Sequence, residues 1–254
     1  MTTLQQQSRE APSGALPSDG LSRFVGAGAW AAMAGGSAMA ASLLMEWLVV
    51  PHEQLGAEAF LTSSYLVSSG LRLLSLVLLP WALIGIYGRQ SREAGAFGLW
   101  AFALAFLGAT LTVGNVWAEV FVWPTLAQAA PDMMAGSATE MSPYLVAGLN
   151  VSFPLFGLGL ILVGVATFRA GVYPRWASVL LVISIPLTIF LDPTPGKFQE
   201  SIGQILLGIS VAAFGWYALK TTPPSTGGER RTPTGHRSRR PVRDVGVPAD
   251  PPGR

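Results

Sequence analysis

Three charged side chains of this chain lie where charge is expensive. Arg72 sits in LVSSGLRLLSLVLLP, eleven positions into an apolar run that begins at Leu61. Glu46 and Glu119 lie toward the ends of two other apolar runs. A cation near the middle of a bilayer costs at least ~2.5–3.5 kcal/mol, so it faces a partner, a cavity or a functional path. A guanidinium with two carboxylates offers three kinds of chemistry. It can form an ion pair that fixes helix register. It can present positive charge to a small polar or anionic ligand, with the carboxylates tuning it. It can also let Glu46 or Glu119 carry a proton.

Polar neighbours extend the cluster. Tyr65, Ser68, Ser69 and Ser75 stand at −7, −4, −3 and +3 from Arg72, which makes one helical stripe. Asn115 is four residues before Glu119, and Ser42 is four before Glu46. Asn150 has Pro154 four residues later, and proline cannot supply the hydrogen bond that the Asn150 carbonyl would receive. Gln204 begins the last apolar run. The expected site is therefore Arg72, Glu46, Glu119, Asn115, Asn150, Tyr65, Ser68, Ser69 and Gln204.

Other chemistries have less to stand on. The chain has no cysteine, so disulfides, thiolate catalysis and cysteine-based metal centres are excluded. Its two histidines are His52 and His236, the latter in the tail. His52 with Glu46, Glu53 and Glu58 is a poor metal set, having one nitrogen and no second-shell signature. No G-x-S-x-G, P-loop or G-x-G-x-x-G motif is present. No metal, cofactor, catalytic residue or nucleic-acid partner is expected.

The elements that must position these residues are membrane-length. Half of the residues are hydrophobic and 12% are charged, against about 25% charged in a soluble domain. Six apolar segments recur, at 24–50, 61–87, 96–123, 144–168, 176–191 and 202–219. Apolar continuity of the first segment beyond Ala38-Met39-Ala40 to Val50 favours a retained helix over a cleaved signal peptide. The loops alternate in charge. Arg9, Arg23, Arg89, Arg92, Arg169, Arg175 and Lys220 fall on one side. Glu53, Glu58, Asp132, Glu140, Asp192 and Glu200 fall on the other, with Lys197. Lys/Arg bias marks the cytoplasmic face. The expectation is an all-α polytopic bundle of six transmembrane helices, N-in and C-in. Residues 1–22 would be a disordered lead, 23–220 the transmembrane domain, and 221–254 a disordered tail.

That topology gives each charge a direction. Helical side chains tilt toward the N-terminus of their helix. Arg72 then points outward from near the midplane, while Glu46 and Glu119 tilt inward from the outer ends of their helices. The three should meet in the outer half of the bilayer.

Three further patterns concern packing and partners. Gly28, Ala32, Gly36 and Ala40 form a small-residue ridge, which serves helix packing within the bundle or a homodimer seam. A-G-x-aromatic-x-x-W occurs at Ala94–Trp100 and again at Ala170–Trp176, each after arginine. The second and third helices would then repeat as the fourth and fifth, about an axis along the membrane normal. The alternative is that interfaces select Arg and Trp independently. The tail after Lys220 carries seven arginines against Glu229, Asp244 and Asp250, so it can contact anionic lipid.

The stretch from Gly157 to Trp176, with Arg169-Ala-Gly171-Val-Tyr-Pro174-Arg175 at its turn, resembles a hairpin of uncharacterised bacterial multi-span membrane proteins, a domain-of-unknown-function class. The resemblance covers the fourth and fifth helices. It implies a multi-pass protein of the bacterial plasma membrane and transfers no catalytic residue. Combined with the polar constellation, it leaves three expectations. The first is a binding or accessory protein with an outward-facing polar pocket for a small polar or anionic ligand. The second is a small proton- or ion-coupled secondary transporter. The third, an intramembrane enzyme, lacks a nucleophile–base pair.

Overall fold

The computed structural model describes residues 18–50, 56–132, 143–191 and 197–221, all within one compact unit, and these are helical apart from short connections. The basic tail, the first seventeen residues and the loop holding His52 and Glu53 lie outside the described residues. The helices are α1 (Ser18–Val49), α2 (Ser63–Phe121), α3 (Trp123–Ala129), α4 (Pro143–Ala170), α5 (Arg175–Leu191) and α6 (Lys197–Thr221). A 3-10 helix at Gly56–Leu61 precedes α2. Helix α1 begins at Ser18, inside the lead that composition marks as disordered to residue 22.

Four helical stretches are long and apolar enough to cross a membrane: Arg23–Val49, Ser63–Ala129, Asn150–Ala170 and Ile202–Thr221. Helix α5 carries a shorter apolar stretch, Arg175–Ile189. Large apolar side chains cover the outside, with Leu48, Trp81, Trp100 and Ile189 among those exposed. Buried positions include the hydroxyl side chains of Ser42, Ser68, Ser178, Ser184 and Ser210. A surface of that kind is suited to lipid, where apolar groups meet apolar solvent and polar groups must be satisfied inside.

Helix α2 is not one rod. Gly95 has φ 56° and ψ −154°, which breaks the run into arms at 63–94 and 96–121. The Tyr65 hydroxyl reaches the Glu119 carbonyl across 54 residues of chain; a straight helix would hold them ~80 Å apart. The arms therefore lie antiparallel. Glycine is the residue for that turn, since a Cβ at positive φ is strained. The expected loop at 88–95 is a single-residue break: Arg89, Gln90, Arg92, Glu93 and Ala94 are good helix formers and continue the helix. Thr62 caps the N-terminus of α2, its hydroxyl accepting from the Tyr65 amide at 3.3 Å.

The helices close into a ring. Helix α1 packs on α2 and α6, α6 on α5, α5 on α4, and α4 back on α2. Small residues permit the closest contacts. A Cβ on Gly28 would run into the backbone of Gly85, and one on Gly36 into the backbone of Gly208 and Ala212. These positions of the α1 ridge are thus occupied by helices of the same chain.

Candidate functional site

Arginines and aromatics gather at one end of the ring. Arg89 Nη1 donates to the Ala218 carbonyl at 3.1 Å, and Nη2 donates to the Thr221 hydroxyl. Both acceptors belong to the last turn of α6, where carbonyls lack helical partners and a cation is favoured. The Arg89 guanidinium also lies 6.0 Å from the centroid of the Tyr173 ring. Arg169 in turn lies 5.7 Å from the Phe97 ring. Arg89 precedes one of the two turns with the shared sequence pattern and Arg169 precedes the other, and each packs on the aromatic of the other turn's pattern. The turn glycines, Gly95 and Gly171, both have positive φ, 56° and 66°. Burial pushes the Tyr173 phenol above its usual range, with Arg89 pulling it back less strongly.

Beneath that end, the Gln90 amide donates to the Thr167 hydroxyl at 2.9 Å and joins α2 to α4. Both side chains are buried. Sequence reasoning missed this pair because Gln90 sits in a charged stretch, Arg89 to Glu93, that reads as loop, while Thr167 is a lone hydroxyl in an apolar run.

The charged cluster lies toward the opposite end. Arg72, on the first arm of α2, pairs through Nη2 with Glu46 of α1. Its Nη1 donates to Glu119 Oε2 at 3.1 Å, on the second arm. The structure thus brings together the three residues singled out by charge and depth. Their side chains are 17%, 23% and 13% exposed for Arg72, Glu46 and Glu119, so the triad is mostly enclosed by protein. A guanidinium suits the position because its planar fork can serve two carboxylates at once. Its Nε is buried and has no acceptor among the described residues.

Hydroxyls pin the helices that carry the triad. Ser42, one turn before Glu46, donates to the Ser68 carbonyl at 2.7 Å and ties α1 to α2. Ser68 and Ser69 donate back to the Tyr65 carbonyl, at 3.2 and 2.8 Å, and so stay satisfied within their own helix. The Tyr65 hydroxyl donates to the Glu119 carbonyl at 3.2 Å. Aromatic rings pack over this end, with Phe60 at 5.0 Å from Tyr65 and 5.8 Å from Trp123, both edge to face.

Helix α4 contributes differently from expectation. Asn115 reaches it, donating to the Ser152 hydroxyl at 2.6 Å. Asn150 and Pro154 instead lie on the exposed face of α4. Two residues turn a helix by about 200°, so Asn150 and Ser152 cannot both face inward. The buried positions Leu160, Val163 and Thr167 put Ser152 on the inner stripe. The phase of that stripe was the signal that could have selected it. Gln204 is half-buried on α6, and no bond joins it to the triad.

Two cavities of about 10 Å³ each adjoin polar groups. One is lined by Gly35, Met39, Ser75 and Val211, and the other by Tyr87, Gln90, Phe102 and Ala166. Each has room for about one water. Among the described residues no three His, Asp or Glu side chains gather as a metal site would require. The fold and cluster define an apolar helical bundle with an internal charge triad. Compared with family models, curated proteins and solved structures, the chain matches none.

Proposed function

We propose that this is a six-span integral membrane protein of the plasma membrane, N-in and C-in, working as a small proton- or ion-coupled secondary transporter. The observation that carries the reading is Arg72 held between Glu46 and Glu119, which draws three helical segments onto one guanidinium. Two carboxylates compete for one cation in apolar surroundings. A proton on either carboxylate weakens its hold on Arg72 and loosens one helix from the other two, which turns protonation into motion. The six spans are α1, the two arms of α2, α4, α5 and α6. The arginine-rich end then faces the cytoplasm, and the triad lies in the outer half. A proton needs no cavity, which suits a bundle whose cavities beside Ser75 and Gln90 are of water size.

Its test is a distance measured against pH. The chain lacks cysteine, so spin labels can be placed on Leu48→Cys and Phe121→Cys, both exposed beside the triad helices. In liposomes, the α1–α2 distance should shift by several ångströms as pH falls, and Glu119→Gln should hold the low-pH distance at every pH. A distance that is invariant in the unmutated background would leave the triad as a structural pin.

A second reading has its own observation. The buried Arg72 Nε retains one donor without a described acceptor, which fits a small polar or anionic ligand entering from the outside. Here the protein would be a binding or accessory protein. The two carboxylates already on Arg72 make an anion the harder ligand to accommodate. Ligand-dependent thermal stabilisation that Arg72→Lys abolishes, with the pH response unchanged, would favour this reading over transport.

A further inference from the structure

We infer that the turn between α4 and α5 binds the phosphate headgroup of an anionic phospholipid. Arg169 lies in the last turn of α4 and Arg175 begins α5, so two arginines bracket a tight turn at Gly171. Both arginines are exposed. Arg169 lies 5.7 Å from the Phe97 ring and Arg175 5.7 Å from the Phe168 ring. Among the described residues, no carboxylate pairs with either.

A cation held over an aromatic ring is oriented but not neutralised. The ring supplies no negative charge and no oxygen acceptor, so an exposed guanidinium beside it keeps donors for a phosphate. The rings themselves are part of the outer apolar surface: Phe97 is 40% exposed, Phe168 42%, Trp176 57% and Trp100 75%. A soluble anion would gain nothing from them. A phospholipid places its phosphate on the arginines and its acyl chains along the aromatic and aliphatic surface beside them. Exposed Arg92 and Lys220 at the same end add to the attraction, at roughly fivefold in affinity for each basic residue near an anionic surface. The inference rests on membrane embedding and on no property of the triad.

Native mass spectrometry of the full chain can test it, counting lipids retained from micelles that hold equal phosphatidylglycerol and phosphatidylcholine. Unmutated protein should retain phosphatidylglycerol preferentially. Arg169→Gln with Arg175→Gln should reduce that preference about twenty-five-fold. Arg237→Gln with Arg239→Gln and Arg240→Gln, in the tail, should leave it intact. Arg169→Lys with Arg175→Lys keeps the charge but removes the planar fork, and should lose a smaller part, which keeps the test open if the Gln variant fails to fold. Full preference in both turn variants, or its loss in the tail variant alone, would overturn the proposal. So would displacement of the lipid by millimolar inorganic phosphate, which would identify a soluble anion as the ligand.

Discussion

Arginine is handled in two ways at the two ends of this bundle. Arg72, deep in an apolar helix, is met by two carboxylates from separate segments. Arg169 and Arg175, at the other end, are met by the faces of aromatic rings. In the proposed membrane embedding, depth accounts for the difference. In hydrocarbon a cation must be neutralised and its donors satisfied, because no water is there to do either. At a headgroup level, where that embedding would put Arg169 and Arg175, water and lipid phosphate would be at hand, and a ring would need only to hold the guanidinium in place. The same side chain is therefore a joint between helices in one region and a contact to the surroundings in the other.

The largest effect is expected at Arg72. Arg72→Ala leaves two carboxylates in an apolar setting and should cost about 3–5 kcal/mol, the range for removing one partner of a buried pair. Arg169→Ala should cost under about 1 kcal/mol, the scale of an exposed cation–ring contact. Reversible unfolding in mixed micelles measures both, and equal costs would abolish the distinction. Gly28→Leu should come next. It forces a side chain into the Gly85 backbone near the arginine-rich end, at about 1–3 kcal/mol for overpacking; an unchanged unfolding midpoint would show that this end is loosely packed. The smallest effect sharpens the picture of α4. Asn115→Leu breaks the bond to Ser152 and should cost about 0.6 kcal/mol, a typical value for a hydrogen bond between membrane helices. Asn150→Leu, on the exposed face, should be neutral or slightly stabilising in the same assay.

Much of the site was legible in the chain. The tilt of helical side chains and the alternation of loop charge brought Glu46 and Glu119 toward Arg72, and both carboxylates pair with it. Asn150 failed because a polar residue on a helix says nothing of azimuth until the buried stripe is phased, and Ser152 took its place. The helical stretch before Gly95 was hidden because its charged residues look like loop while being strong helix formers. Helix α3 was hidden by its seven-residue length, beginning at Trp123 with Pro124 in its first turn.

The amino-acid order by itself determined the six apolar segments, the repeated A-G-x-aromatic-x-x-W pattern and the place of the one arginine within those segments. These depend on local composition and on the period of a helix, which are properties of neighbours in sequence. Only the tertiary structure decided which partners meet. Arg72 contacts residues 26 positions before it and 47 after it, and Arg89 and Arg169 exchange aromatic partners across two turns. Those pairings follow from how the helices rotate and close into a ring, and that is set by the small residues at which their backbones touch.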